Sequence, residues 1–169
     1  MRYFALCFAL AATSSLASAG CVPILGTVKL TQDPGCAVAT FPGMQGQPFV
    51  GECYKDVLKL GGLVPAYGYS GVTSEMISSL LSGGGEARSP AIAQGGRTLL
   101  TARSTFSLGG TRLYAAEVIL DSGSGLVTEQ SVITGTDGKG LFKNATGGFT
   151  ILGNSIGETA HMQGQICIP

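Results

Sequence analysis

Glu117 and Glu129 flank a turn, Asp121-Ser122-Gly123-Ser124-Gly125, and this spacing makes them the residues of the chain best placed to do chemistry. If Asp121 closes on Gly125, the two glutamates face each other across a hairpin. Two facing carboxylates repel unless one keeps a proton or a cation lies between them, and such a pair is equipment for proton transfer. Arg103 joins them by similar reasoning. Reading Leu108-Gly109-Gly110 as a three-residue loop pairs Ser107 with Thr111, sets Arg103 opposite Ala115 and leaves it diagonal to Glu117 on one face. The plainer alternative is a solvated charge ladder on the outside of a sheet, with Arg103 neutralising the pair. His161 is the sole histidine, and no other side chain here readily moves protons near neutrality. It falls in the alternating run Ile156 to Ile168 with Thr159, Gln163 and Gln165, where a sheet-surface residue is the plainer reading.

Strands must position these groups. Segments Ile24 to Thr31, Cys36 to Phe41, Phe49 to Leu60, Val64 to Ser70, Arg97 to Phe106, Thr111 to Leu120, Leu126 to Thr134, Gly148 to Leu152 and Ile156 to Ile168 are strand-length and are broken by Gly, Pro, Asn or Asp. A single short helix is expected, from Val72 to Leu81, closed by Gly83-Gly84-Gly85. This spacing predicts an all-β fold, an antiparallel barrel or sandwich, with no βαβ unit. The register above makes Leu100, Ala102, Phe106, Tyr114, Ala116, Val118 and Leu120 the core face.

Composition narrows the function classes. Ten Lys+Arg against ten Asp+Glu in 169 residues leave no basic field for a nucleic-acid backbone, so no nucleic-acid partner is expected. Glycine is abundant at 27 residues but has no three-residue period, and 44% hydrophobic content opposes disorder. Glycines among strands then serve turns and close backbone crossings. The cluster Gly135, Gly138, Gly140, Gly147 and Gly148 has strands on both sides and no Lys-Ser/Thr pair, which excludes a phosphate-binding loop.

Residues 1–19 read as a secretory signal. Arg2 precedes the apolar run Tyr3 to Ala12, and Ala17-Ser18-Ala19 fits a peptidase site that would release a single domain beginning at Gly20. The apolar run is too short to span a bilayer, so no transmembrane segment is expected and the product is secreted or periplasmic. A lipid on Cys21 is a lesser alternative, because Ser18 stands where Leu is usual. With Cys7 removed, Cys21, Cys36, Cys53 and Cys167 remain for two disulfides. Cys21–Cys167 and Cys36–Cys53 are the favoured pairs, since a closed sheet brings its first and last strands together. No Cys-x-x-Cys occurs and histidine is single, so neither a metal nor a cofactor is expected.

Three further motifs resolve into structure. Val118 to Ser124 is similar to the Asp-Ser/Thr-Gly motif of aspartic peptidases, but a second lobe is missing and Asp121 suits a turn. Gly68-Tyr69-Ser70-Gly71 lacks the spacing of a nucleophile elbow. Asn144-Ala145-Thr146 is a glycosylation sequon, relevant where the host glycosylates exported proteins.

The stretch Glu129 to Gly153, through Gly135, Thr136, Gly138, Phe142, Ala145, Thr146, Gly147 and Phe149, resembles the allene oxide cyclase and dirigent-like β-barrels, including small secreted bacterial members. Asp137 interrupts the family's usual Gly-Thr-Gly, and Asn144 stands where glycine is common. The resemblance implies a calycin-type antiparallel barrel whose lumen takes a small hydrophobic molecule. It also implies cofactor-free action by positioning, as a cyclase, isomerase or coupling guide. Two functions follow: a secreted barrel that binds a small hydrophobic ligand or a partner without catalysis, or an enzyme of that kind using Glu117, Glu129 and Arg103.

Overall fold

The computed structural model describes residues 20–61, 65–77, 98–122 and 126–169. The expected leader, the Gly83-Gly84-Gly85 break and the centre of the Asp121 to Gly125 turn lie outside them. Eight antiparallel strands form a closed barrel in chain order: β1 (Gly20–Gln32), β2 (Cys53–Leu60), β3 (Ala66–Ile77), β4 (Thr98–Leu108), β5 (Thr111–Asp121), β6 (Val127–Thr136), β7 (Thr146–Leu152) and β8 (Ala160–Ile168). Closure comes from β1 pairing with β8, from Gly20↔Ile168 to Val28↔Ala160. Both expected disulfides are present, Cys21–Cys167 across that seam and Cys36–Cys53 at the start of β2. They fit an oxidising compartment.

Each strand sorts its side chains by the two-residue period. In β2, Tyr54, Asp56, Leu58 and Leu60 are buried, whereas Lys55 and Lys59 are exposed. One end of the interior is filled. Leu60, Leu108, Leu113, Ile133, Phe142 and Ile166 pack there with their neighbours as the main core. The β6–β7 connection seals this end by folding onto the β4–β5 hairpin. The Leu141 amide donates to the Gly109 carbonyl, the Phe142 amide donates to Thr111 Oγ1, and that hydroxyl donates to the Lys139 carbonyl. Gly140 makes the contact possible, because a Cβ there would lie 2.5 Å from the Gly110 carbonyl carbon. Asn144, at φ 61, occupies the left-handed conformation that glycine would otherwise supply.

Three expected elements differ. The segment Cys36 to Phe41 is not a strand but contains a 3-10 turn, Ala37–Thr40, because the Asp33 carboxylate accepts the Ala37 amide at 2.8 Å and Cys36 is tied to Cys53. Val38, Met44 and Phe49 then lie over the outer face of the barrel against Tyr69 and Tyr114. The expected helix from Val72 is strand as far as Ile77, since β3 pairs with β4 from Tyr67↔Ser107 to Ile77↔Thr98 and those ladder bonds outweigh a weak local helical pattern. Residues 78–81 lie outside the described set. Finally, β8 begins at Ala160, and Ile156 makes only an isolated parallel bridge to Leu30.

The seam disulfide has a measurable consequence. Because Cys21 and Cys167 are separated by 146 residues, their link removes much chain entropy from the unfolded state, and the Cys21→Ala/Cys167→Ala double variant is expected to lose about 3–5 kcal/mol in urea unfolding. Thiol titration of the denatured, unreduced protein beginning at Gly20 should find no free thiol.

Candidate functional site

Above the packed end, the lumen holds a cavity of about 380 Å³. Its wall is divided. Val28 on β1, Phe149 and Ile151 on β7, and Met162 on β8 make one side apolar, while polar groups cross β2 to β6 on the other. Asp56, Ser70, Ser104, Glu117, Ser131 and Glu129 form that polar arc.

The arc is built from repeated cross-strand contacts. Tyr54 pairs with Ser70, so Asp56 lies diagonal to Ser70 and accepts its hydroxyl at 2.8 Å. Ser70 pairs with Ser104, and Ser104 donates to the carboxylate of its own diagonal neighbour, Glu117. Glu117 in turn faces Ser131, with Glu129 diagonal to it on the same face. Diagonal neighbours stand about 7–8 Å apart along the sheet, within reach of long side chains, and the charge of Glu117 acts on Glu129.

Burial raises all three acids, to different extents. Asp56 is held well above the usual carboxylate range by desolvation and then by the charge of Glu117, against which the Ser70 hydrogen bond works. Glu129 is also well above it, through desolvation, then Glu117, then Asp56. Desolvation raises Glu117 too, but the Ser104 hydrogen bond and the Arg103 charge oppose it. Glu117 alone of the three has both a hydrogen-bond donor and a nearby cation favouring its charged form. Nearer the rim, Tyr54 donates to Glu52 at 3.2 Å, and burial together with Glu52 pushes the phenol upward. Glu75 is raised by burial and then by Glu52.

The expected trio of Glu117, Glu129 and Arg103 is only partly assembled. The two glutamates share the inner face, but Glu117 is opposite Ser131 and Glu129 is opposite Ile119, because the loop closes Asp121 on Val127 rather than on Gly125. A shift of two residues preserves the face. Arg103 instead faces outward, opposite Ala116, while Ala102 pairs with Glu117. Gly109 and Gly110, at φ 55 and 76, make a two-residue turn with Leu108 opposite Thr111, one residue from the expected register. That slip exchanges the faces of β5 relative to β4. Leu100, Ala102 and Phe106 do point inward, whereas Val118 and Leu120 are exposed on the outside. Arg103 reaches Glu117 only as a charge on the other side of the wall. His161, on β8 between Thr27 and Leu152, is exposed on the outer face and takes no part in the cavity.

Four cavity acids, Glu52, Asp56, Glu75 and Asp121, were not among the expected site residues, and two of them show why. Asp56 stands at an inward position between Tyr54 and Leu58, and the alternation of β2 could have revealed it. Glu75 could not be placed that way. A bulge between Val72 and Ser74 changes the parity of β3, so Glu75 pairs with Leu100 and turns inward.

No family model matches this chain, and no curated protein or solved structure matches it either. The cavity chemistry must therefore be argued from its own residues.

A raised carboxylate gives the fold a defined pH dependence. Native Glu129 binds its proton more tightly than the unfolded chain does, so its contribution is complete below the ordinary glutamate range and is lost as pH rises through the elevated value. Glu129→Gln should be nearly neutral at about pH 4 and stabilising at about pH 8. Urea unfolding of both proteins at the two pH values measures it.

Proposed function

We propose that this protein is a secreted barrel that binds a small, mainly apolar molecule in its lumen without transforming it. The observation that carries this reading is the incomplete filling of the interior: apolar side chains close one end, and the remaining ~380 Å³ has one apolar wall and one wall of convergent polar groups. Small-molecule sites have this character and begin at about this size. Burying Asp56 and Glu129 carries an electrostatic penalty in the absence of a guest.

Export agrees with the covalent framework. Two disulfides suit an oxidising compartment. Cys21 commits its sulfur to Cys167, which disfavours a lipid at that position.

A second reading draws on one specific feature. Glu117 and Glu129 share a wall but differ in surroundings, Glu117 having the Ser104 hydroxyl and the Arg103 charge while Glu129 is near two other acids, an asymmetry that an acid–base pair uses. This supports the cofactor-free cyclase or isomerase alternative, with Glu129 as proton donor and Glu117 as acceptor. Incubating the purified protein with a metabolite extract of its host separates the two readings. Binding predicts a retained molecule recovered unchanged. Catalysis predicts a product whose formation is lost in Glu117→Gln.

Occupancy of the lumen is tested by filling it. Ala102 is buried on the cavity wall beside Glu117, so Ala102→Phe should keep the fold and reduce uptake of a small apolar fluorescent probe at least about tenfold, a loss of ~1.4 kcal/mol. Unchanged uptake by the folded variant would place the probe outside the barrel.

A further inference from the structure

Charge in this barrel is sorted across a wall one residue thick. Six of its ten acidic residues, Glu52, Asp56, Glu75, Glu117, Asp121 and Glu129, line the cavity, and no Lys, Arg or His among the described residues does so. The nearby cations lie on the other side. Lys29, Lys55 and Lys59 are exposed, and Arg103 alternates with the inward Ala102 and Ser104. A low-dielectric wall focuses the resulting negative potential into the lumen.

The cavity also contains acceptors that the protein itself leaves unmet. Glu75 is only 4% exposed and its Oε2 has no hydrogen-bond partner, and Thr98, at 3%, has an unpartnered Oγ1. Both line the cavity, on adjacent strands near its rim. Buried polar atoms are nearly always satisfied, so two unmet oxygens on one wall point to a missing donor. No three of the carboxylates among the described residues are grouped as a metal site would require. Carboxyl and hydroxyl oxygens spread along a wall, facing an apolar surface of Phe149, Ile151 and Met162, suit an organic molecule better than a bare ion.

We propose that the lumen selects an apolar molecule carrying a protonated amine, its ammonium group held by the acidic arc and its hydrocarbon body against β7 and β8. The inference rests on the ligand-binding reading above and adds the charge of the guest. An ammonium supplies up to three N–H donors and no acceptor, which suits a wall rich in carboxyl oxygens, one of them unpartnered. A carboxylate guest of the same shape would meet six acidic groups and no inward cation among the described residues.

Ionisation of the wall should accompany binding. The titratable groups facing the guest are Glu52, Tyr54 and Asp56 before and along β2, Glu75 on β3, Glu117 and Asp121 on β5, and Glu129 on β6. The described inward residues of β1, β4, β7 and β8 contribute none. Protonated acids attract an ammonium less, so its affinity should increase with pH across the range in which these acids ionise, while that of a neutral guest should not.

Calorimetric titration with octylamine, octanol and octanoate tests the proposal on the full mature chain. Octylamine is expected to bind at least about tenfold tighter than octanol at about pH 8, a factor worth ~1.4 kcal/mol, and octanoate weaker than either. Its advantage should shrink at about pH 5, and in Asp56→Asn/Glu129→Gln it should fall to within about threefold of octanol. Octanol binding by that variant shows that its barrel is intact. Should the double variant fail to bind octanol, the wild-type comparison and its pH dependence still decide the matter. Equal binding of octylamine and octanol by the wild type, or a preference for octanoate, overturns the amine inference and leaves the ligand-binding reading standing. Absence of binding by all three overturns both.

Discussion

Pairing of β1 with β8 converts a sheet into a container, and the properties of the inner residues follow from that closure. An open sheet would leave Asp56, Glu117 and Glu129 on a face that water could reach. Closed, the same face becomes the wall of a lumen, and solvation of these carboxylates is replaced by a few hydroxyl donors and their mutual repulsion. The seam is held by backbone bonds along its length and by the Cys21–Cys167 link. It therefore decides the protonation of groups on strands distant from it.

Within the closed wall, stability and chemistry are divided along the barrel axis. The sealed end resembles an ordinary core, with Leu113 and Ile166 fully buried and Phe142 brought in by the β6–β7 connection. The other end trades packing for polar groups. Ser70 and Ser104 each serve a carboxylate on a neighbouring strand, and this shared device spreads the arc over β2 to β6 without a single lysine or arginine pointing inward among the described residues. A packed end makes the fold possible, and a thinly packed end leaves room for a guest.

Strand positions and cysteine partners were legible in the sequence because each depends on local or simple global rules. Alternation in β4 to β6 identifies the strands, and closure alone suggests that the first cysteine of the barrel meets the last. Register was less legible. Leu108-Gly109-Gly110 permits a three-residue loop and Gly109-Gly110 a two-residue turn, and the difference moved Arg103 and Glu117 to opposite faces. The pairing of Glu117 with Glu129 erred by two residues and so retained their common face. Cys36 to Phe41 had a strand-like composition, but Asp33 and the link to Cys53 wound it into a turn.

By itself, the sequence determined an all-β chain with turn-forming glycines, four cysteines after residue 19 that can pair, and equal numbers of basic and acidic side chains. These are properties of composition and short-range pattern, which survive an error of one residue. Only the tertiary structure decided which face was inside, because parity along a strand inverts with each single-residue slip or bulge. The bulge at Val72 brought Glu75 inward, the two-residue turn sent Arg103 out, and barrel closure gathered Asp56 with glutamates far away in sequence. An acidic cavity with no inward cation among the described residues emerges from those three events, none of which is encoded in a contiguous motif.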